Sequence, residues 1–380
     1  MNKAKNPVGM DAALGNWNRT NQRQTIQSAM KLLRQIVLEI SPYTVEHNLS
    51  AFRRGSLGMR ERVEQTAYSF VEGYNRALEF DCPRQLAAQL ETLPNEFRGF
   101  ACEGAATALA LLDILTPWHS PRVDELLIAT DHAHSYMMHM GVGLAWARIP
   151  FGFRERKNML HSVLGWLAYD GWGFHEGLSN STRLPHVGAA RRLQGYESRS
   201  FFQGLGRSLW FSQQGDVPCI SHAIARFDLP RQPDLWSGIG LSVINAGVLN
   251  DRGLQELREK SGPFLPFLAQ GAAFGAKVRS RAGNLSDYTD HASMMLCGLS
   301  AEAAVRVTDD ALENLPSNSE VPAYEIWRQR IQTHFAASME IHGTDLATPL
   351  RETEGATLVG IMEPACVAPF WRRFRTPSRI

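Results

Sequence analysis

Histidine, tyrosine and acidic side chains are concentrated between residues 131 and 141, where the sequence reads Asp-His-Ala-His-Ser-Tyr-Met-Met-His-Met-Gly. If this segment is helical, His132, Tyr136 and His139 lie on one face, because residues three, four and seven positions apart are neighbours on a helix. Imidazole groups transfer protons near neutral pH, and they also bind transition metals. We therefore predict that His139 is a catalytic residue.

A second candidate segment covers residues 170–177, Asp-Gly-Trp-Gly-Phe-His-Glu-Gly. His175 and Glu176 are adjacent in it, so an imidazole and a carboxylate could share a proton transfer. The stretch 171–195 is rich in Gly, Ser and Asn, a composition typical of loops. We predict a long loop that borders the functional cavity, with His175 and Glu176 as catalytic residues.

A Glu or Gln directly before a Gly recurs along the chain, each time with an aromatic residue three or four positions before that Gly. The five dipeptides are Glu72-Gly73, Glu103-Gly104, Glu176-Gly177, Gln203-Gly204 and Gln270-Gly271. Gly inside a helix is destabilising by roughly 0.5–1 kcal/mol relative to Ala, so its repetition indicates backbones that approach closely. The Glu and Gln side chains would then face a shared centre. The alternative is that each side chain caps or forms a hydrogen bond with a neighbouring loop.

Equivalent positions in stacked repeats face a common axis. We therefore predict that Glu103, a further catalytic candidate, converges with His139 and Glu176 on one cavity. The residues predicted to contact substrate there are Trp146, Trp172, Phe174, Gln203, Trp210, Trp236 and Gln270. Packing in the core is the alternative role for the aromatic members of this set.

The sequence contains no His-Glu-x-x-His motif, no paired Glu-x-x-His and no Asp-rich diphosphate-binding motif. We assign no metal ligands for this reason, and the cofactor is left open. A metal or haem protein that uses the same histidines stays an alternative.

Apolar residues recur at a helical period through most of the chain, and few segments alternate as strands do. A Gly-Leu dipeptide follows Gly104, Gly204 and Gly271 after 39, 36 and 27 residues. This length scale is typical of helical-hairpin repeats. We predict a mainly α fold of degenerate helical-hairpin repeats, forming a superhelix or toroid-like bundle around a central apolar cavity. The expected organisation is a flexible arm (1–21), a helical repeat domain (22–342) and a C-terminal extension (343–380) packing on the body.

The chain of 380 residues has 39 basic and 38 acidic side chains, a formal net charge of +1. This balance gives no support to nucleic-acid binding. No apolar run approaches the roughly 20 residues of a membrane span, and residues 1–21 lack the apolar core of a secretory signal. The five cysteines are widely spaced, which fits reduced thiols. We expect a cytoplasmic protein.

Several motifs together resemble one family. They occupy residues 70–74, 99–106, 134–141, 170–177, 203–210, 234–241 and 270–274. These segments resemble the domain-of-unknown-function family often called UnbL-type, which is encoded in enediyne and related bacterial natural-product gene clusters. The resemblance spans roughly residues 30–305. It implies a cytosolic bacterial protein of secondary metabolism, and it implies no catalytic residue.

Three functional hypotheses follow. The first is an enzyme that acts on a large apolar polyene or isoprenoid substrate by acid–base chemistry, as cyclases, isomerases and lyases do. The second is a non-catalytic protein that binds or sequesters a reactive apolar metabolite, and the third is the metal or haem protein. The expected partner is an apolar small molecule, and a homodimer is left open.

Overall fold

The structure is a computed structural model, and it describes residues 28, 31–41, 43, 46, 56–116, 118, 121–149, 161–180, 193, 195–316 and 319–342. The predicted arm (1–21) and C-terminal extension (343–380) lie outside these residues. The predicted mainly α class is confirmed, because the regular secondary structure of the described residues is entirely helical. Within the same ranges, no helix combines the length and the apolar character needed to cross a bilayer.

A short helical segment (31–38) precedes the helices that we number in chain order. These are α1 (Leu57–Glu79), α2 (Pro83–Glu91), α3 (Asn95–Leu115), α4 (Arg122–Ala129), α5 (Ser135–Arg148), α6 (Leu167–Ser179), α7 (Tyr196–Ser212), α8 (Val217–Ala225), α9 (Gln232–Ala246), α10 (Asp251–Ser261), α11 (Leu265–Arg281), α12 (Asp287–Cys297), α13 (Ala301–Asp310) and α14 (Ala323–His342).

At the starts of some helices, a side chain accepts a hydrogen bond from a backbone N–H group that has no partner within the helix. Ser56 Oγ accepts from Met59 N at 3.2 Å at the start of α1, and Asp216 Oδ1 accepts from Cys219 N at 2.8 Å at the start of α8. Pro83 occupies the first position of α2, where its missing N–H has no consequence. Local sequence therefore fixes where these helices begin.

The longer helices α1, α3, α5, α6, α7, α9 and α11 pack side by side in that order. The shorter helices pack in neighbouring pairs, α2 with α4, α8 with α10, and α10 with α12. Helices α13 and α14 both pack against α11. The row of seven helices is the frame that positions the functional side chains.

Glycine pairs explain how closely the helices of this row approach. A methyl group added at Gly171 of α6 would lie 1.9 Å from Met140 O of α5, and one at Gly173 would lie 1.9 Å from Phe201 O of α7. Residues two apart lie on opposite sides of a helix, since each step turns it by about 100°. Gly171 therefore faces α5, and Gly173 faces α7.

The same Gly-x-Gly arrangement recurs in α5, α7 and α9. The pairs are Gly141 and Gly143, Gly204 and Gly206, and Gly238 and Gly240, and an added methyl group at each would lie between 1.7 and 2.3 Å from a carbonyl oxygen of the adjacent helix. The predicted close contacts at Gly73, Gly104, Gly204 and Gly271 are confirmed, with corresponding distances between 1.8 and 1.9 Å for three of them and 1.7 Å for Gly204.

The predicted repeat position in α6 is wrong. Gly177 does lie at a close helix contact, as predicted, because a methyl group there would lie 1.9 Å from Ser208 Oγ of α7. Asp170-Gly171 is nevertheless the copy that corresponds to Gln203-Gly204, because Gly171 meets the backbone of the neighbouring helix. The predicted loop 171–195 is also wrong over its first part, which belongs to α6 (Leu167–Ser179). The glycines there serve packing and not flexibility. Residues 181–192 lie outside the described part of the chain.

Candidate functional site

A cavity of about 540 Å³ lies between α4, the start of α5, the end of α11, the end of α13 and the segment 161–164. Its lining comprises Asp124, Leu127, Ile128, His132, Ser135, Tyr136, His139, His161, Val163, Leu164, Lys277, Arg281, Asp309 and Leu312. We call this the histidine pocket. It combines apolar walls with a group of titratable side chains.

The turn before α5 sets the direction in which this helix enters the pocket. Asp131 and His132 both have positive φ, 47° and 56°, a region that residues other than glycine seldom occupy. Ser135 Oγ and Arg281 Nη2 both donate to His132 O, at 2.6 and 3.2 Å. The helix expected from His132 consequently begins at Ser135. Two left-handed residues held by side chains of α5 and α11 indicate a constrained geometry at this site.

His139 is the predicted catalytic residue that the structure places in the pocket. Its side chain is buried, and its Nδ1 lies 2.7 Å from Ser135 O. A carbonyl oxygen only accepts hydrogen bonds, so Nδ1 carries the proton and Nε2 is the basic nitrogen. Burial lowers the pKa of His139 to about 4, and nearby His161 and His132 lower it further against the effect of the Ser135 hydrogen bond. The imidazole is therefore neutral at pH 7.

His161 has the opposite arrangement of ring nitrogens. Its Nδ1 accepts from Val163 N and Leu164 N, both at 3.1 Å, so its proton lies on Nε2. The ring centroids of His161 and His139 are 6.3 Å apart, with the planes at 82°. Burial, followed by the charge of His132, lowers the pKa of His161. His139 Nε2 can therefore accept a hydrogen bond from a ligand, whereas His161 Nε2 can donate one.

Tyr136 contributes a hydroxyl to the same wall. Its side chain is buried against Trp327 of α14, with ring centroids 6.3 Å apart, and burial raises the pKa of its hydroxyl. The hydroxyl consequently stays protonated at neutral pH. Among the residues that the structure describes, no protein group forms a hydrogen bond with it. It is available as a donor to a bound molecule.

Basic and acidic side chains complete the pocket on the α11 and α13 side. Lys277 Nζ forms an ion pair with Asp309 Oδ1, and Arg281 supplies the hydrogen bond to His132 O described above. Sequence reasoning missed His161, Lys277 and Asp309, because none of them belongs to a local motif. Helix packing alone brings them to the start of α5.

Glu103 lies in a different environment, a buried polar chain between the helices of the row. Arg207 Nη2 lies 3.5 Å from Glu103 Oε1, and Arg207 Nη1 donates to Asp170 Oδ1 at 2.6 Å. Burial raises the pKa of Glu103 to about 7, although Arg207 lowers it. Gln203 Nε2 donates to Asp170 Oδ2 at 2.7 Å and to Tyr324 Oη of α14 at 3.1 Å.

The polar chain continues through α9 to α11 and α14. Ser237 Oγ lies 3.2 Å from Gln203 Oε1 and 2.9 Å from Gln270 Oε1, and Gln332 Nε2 donates to Gln270 Oε1 at 3.1 Å. Glu103, Asp170, Gln203, Ser237 and Gln270 each precede a close-packed glycine or occupy the matching position. A chain of buried polar side chains thus runs between the helices of the row, and the predicted central apolar cavity stays a prediction.

His175 and Glu176 lie on α6. His175 is buried, whereas Glu176 is half-buried and its Oε2 accepts from Asn180 Nδ2 at 3.0 Å. Of the four predicted catalytic residues, His139 alone is among those that line the histidine pocket within the described part of the chain. The structure thus places them in three different environments.

The residues predicted to bind substrate lie at helix contacts. Trp146 packs on Tyr169 at a centroid distance of 5.7 Å, Trp172 packs on Phe201 at 6.1 Å and Phe174 packs on Phe211 at 5.5 Å. Trp210 and Trp236 are buried as well. Their role in substrate binding stays a prediction.

The described residues contain no group of three or more His, Cys, Asp or Glu side chains arranged to hold a metal ion. Cys102 and Cys297 are buried free thiols, and burial raises the pKa of each to about 12.

Comparison with known proteins identifies a family for this chain. A family model described as "Protein of unknown function (DUF1702)" matches residues 29–335, well over half of the 380-residue chain. No curated protein and no solved structure matches the chain. The chain therefore belongs to the DUF1702 family of proteins of unknown function.

Proposed function

We propose that the protein is an enzyme that uses acid–base catalysis on an apolar small molecule bound in the histidine pocket, with His139 as the base. The single observation behind this proposal is the state of that imidazole. Its Nδ1 is bonded to Ser135 O at 2.7 Å, and its basic Nε2 belongs to a neutral ring on a pocket wall. A positioned neutral imidazole is the commonest general base in enzymes.

The shape and the lining of the pocket support a small-molecule ligand. Its volume of about 540 Å³ falls within the range of roughly 300–1,000 Å³ that is usual for ligand sites. Leu127, Leu164 and Leu312 provide apolar walls, and the polar groups are gathered around the start of α5. Such a division orients a mainly apolar molecule with its reactive group towards His139.

The reaction in this proposal moves protons and requires no redox partner, so it belongs with cyclisation, isomerisation or elimination. The resemblance of the motifs to the UnbL-type family supports a role in bacterial natural-product biosynthesis, within enediyne or related pathways. A polyene, polyketide-derived or isoprenoid substrate fits the apolar walls. The predicted cytoplasmic location belongs to the same proposal.

We also propose that the helical row closes towards a toroid-like bundle. Asn284 Nδ2 donates to Asn95 O at 2.8 Å, and Asn95 Nδ2 donates to Gly283 O at 3.3 Å, which joins the end of α11 to the start of α3. Arg281 Nη2 joins the same end of α11 to His132 O, just before α5. These contacts support closure, and Arg281 and His132 also line the histidine pocket.

Turnover of a pathway metabolite tests the proposed function. The metabolite that accumulates when the gene is deleted would be incubated with wild-type protein, with His139→Gln and with the control His222→Gln, which alters an exposed histidine of α8. We expect the wild type and the control to convert the metabolite, and His139→Gln to lose about 10²–10⁴-fold in kcat/KM. Circular dichroism would establish that all three proteins are folded.

Other results would contradict the proposal in distinct ways. Tight binding without conversion by the wild type would favour the sequestration hypothesis. Conversion that depends on a metal or haem found by elemental and absorption analysis would favour the third hypothesis. Equal turnover by wild type and His139→Gln would remove His139 from the mechanism.

A further inference from the structure

We infer that the substrate of the histidine pocket carries an enolisable carbonyl group. In this arrangement Tyr136 Oη and His161 Nε2 donate hydrogen bonds to the carbonyl oxygen, and His139 Nε2 removes a proton from the adjacent carbon. The inference rests on the proposed function and specifies the chemical class of its substrate.

The first argument comes from the positions of Tyr136 and His139 on α5. Residues three apart lie on the same face of a helix, and both side chains line the pocket. Helix α5 begins at Ser135, three residues after His132, whose carbonyl oxygen accepts hydrogen bonds from Arg281 and Ser135. The donor and the acceptor are therefore fixed relative to each other on one rigid element before any ligand binds.

The second argument comes from the hydrogen-bonding capacity of the three side chains. His139 Nε2 can only accept, because Nδ1 holds the proton. His161 Nε2 can only donate, because Nδ1 accepts two backbone N–H groups. The hydroxyl of Tyr136 is free to donate. A site that offers only hydrogen-bond donors suits an anionic ligand. A site with one hydrogen-bond acceptor and two donors suits a ligand that loses a proton to the acceptor while negative charge develops on its oxygen.

The third argument comes from the strength of the base. A histidine with a pKa of about 4 is a weak base, so it removes a carbon-bound proton only if the resulting enolate is strongly stabilised. Hydrogen-bond donors fixed in a buried site supply such stabilisation, and removal of one donor from an oxyanion site slows reactions by about 10²–10³-fold. Tyr136, which is buried, and His161, which is exposed but lines the same pocket, provide two donors near the base.

The step is balanced without a further reactant. The carbon–hydrogen bond next to the carbonyl breaks, the proton moves to His139 Nε2, and the electron pair forms a carbon–carbon double bond as charge develops on the oxygen. When the substrate also has a double bond one carbon further on, return of the proton from His139 to the far end of the enolate shifts that double bond into conjugation. No atom or electron is gained or lost overall.

Deuterium exchange into a simple ketone tests this inference. Decanone, a medium-chain methyl ketone, would be incubated with the protein in deuterium oxide, and NMR and mass spectrometry would follow deuterium incorporation beside the carbonyl. Saturation-transfer NMR would measure binding of the ketone in parallel. The variants are Tyr136→Phe and His139→Gln, with His222→Gln as the control.

We expect the wild type and His222→Gln to accelerate exchange over protein-free buffer. His139→Gln should lower the rate by about 10²-fold or more. Tyr136→Phe should lower it by about 10²-fold while the ketone still binds, because the packing of the ring on Trp327 is retained. Loss of rate with retained binding is an effect that a purely structural role of Tyr136 would not produce.

Three results would overturn the inference: no binding of the ketone, binding without exchange by the wild type, or exchange by Tyr136→Phe at the wild-type rate. Its failure is distinguishable from failure of the proposed function. If wild-type protein converts the pathway metabolite in a His139-dependent manner but does not exchange the ketone, the carbonyl class is wrong and acid–base catalysis stands. If conversion of the metabolite is independent of His139, both are wrong.

Discussion

Burial favours the neutral forms of two side chains that have opposite charges when ionised. The pKa of His139 falls to about 4, and the pKa of Glu103 rises to about 7, because the charged form of each is poorly solvated. What the neutral side chain can do depends on whether it faces a pocket or neighbouring helices. His139 lies on the wall of a pocket, where a neutral imidazole can act on a ligand, whereas Glu103 lies between helices beside Arg207 and Asp170.

The pH dependence of turnover provides a prediction for His139. The base must be neutral, so we expect kcat/KM to be maintained as the pH falls below neutrality and to be lost only as it falls through about 4. An ordinary histidine would give this loss near pH 6.5. A pH profile of kcat/KM, with circular dichroism at each pH, measures the difference. An acidic limb centred near pH 6.5 would contradict the assignment of His139 as a buried neutral base.

The pH dependence of stability provides a prediction for Glu103. Its pKa is about 7 in the folded protein and 4.5 ordinarily, so between these values the folded state binds the extra proton. The stability contributed by Glu103 is therefore fully present below pH 4.5 and is lost as the pH rises to about 7. We expect the unfolding free energy of wild type minus that of Glu103→Gln to fall by roughly 3 kcal/mol at most across this window. Urea titrations at several pH values measure it, and a constant difference would contradict the prediction.

At the scale of the elements, the glycine pairs decide which helices are neighbours. Residues such as Gly204 and Gly206 give α7 one bare surface towards α6 and another towards α9. An added side chain cannot be accommodated by a rotamer change, because the obstacle is backbone. The row of helices, and the positions of α5 and α11 beside the pocket, depend on these contacts.

Gly204→Ala and Gly58→Ala form a matched pair for testing this dependence. A methyl group at Gly204 would lie 1.7 Å from Asp170 O, whereas a methyl group at Gly58 of α1 would have no neighbour within 4 Å. We expect Gly204→Ala to lower the free energy of unfolding by about 3 kcal/mol or more. Gly58→Ala should be neutral or raise it by up to about 1 kcal/mol. Similar values for the two variants in urea titrations would refute the packing account.

Part of this arrangement was predictable from the sequence. Glu-Gly and Gln-Gly dipeptides predicted close helix contacts at Gly73, Gly104, Gly204 and Gly271, and these were confirmed. The repeat position in α6 was predicted at Glu176-Gly177 because Asp170 departs from the Glu or Gln pattern. The Gly-x-Gly spacing of Gly171 and Gly173 would have indicated Asp170-Gly171 instead. The histidine pocket was predictable only at His139. His161, Lys277 and Asp309 come from distant parts of the chain, and no local spacing signals that packing will bring them together.

At the scale of the whole molecule, α14 connects helices that are far apart in the sequence. Arg328 is fully buried, and its Nη2 donates to Asp234 Oδ1 of α9 at 2.8 Å. Trp327 stacks on Phe274 of α11 at a centroid distance of 4.4 Å and donates to Thr308 O of α13 at 2.8 Å. The same helix supports Tyr136 through its contact with Trp327. Helix α14 thus links the buried polar chain to the histidine pocket.

Arg328→Met tests this link, with Arg306→Met as a control at an exposed position of α13. Asp234 and Glu325 form ion pairs with Arg328 and Arg199. Removal of the Arg328 guanidinium leaves Arg199 as their one ion-pair partner among the described residues. We expect a loss of about 3–5 kcal/mol in the free energy of unfolding, as for other broken buried ion pairs. The control should change it by less than about 0.5 kcal/mol. Equal effects of the two variants would mean that α14 is not anchored in this way.

The most direct test of the central claim is a crystal structure of the protein with the pathway metabolite bound. We predict density for the metabolite in the histidine pocket, with a reacting carbon or its polar neighbour within about 3.5 Å of His139 Nε2 and the apolar part along Leu127 and Leu164. Density for the metabolite elsewhere, for example beside Trp172 and Glu176 with the histidine pocket unoccupied, would contradict it.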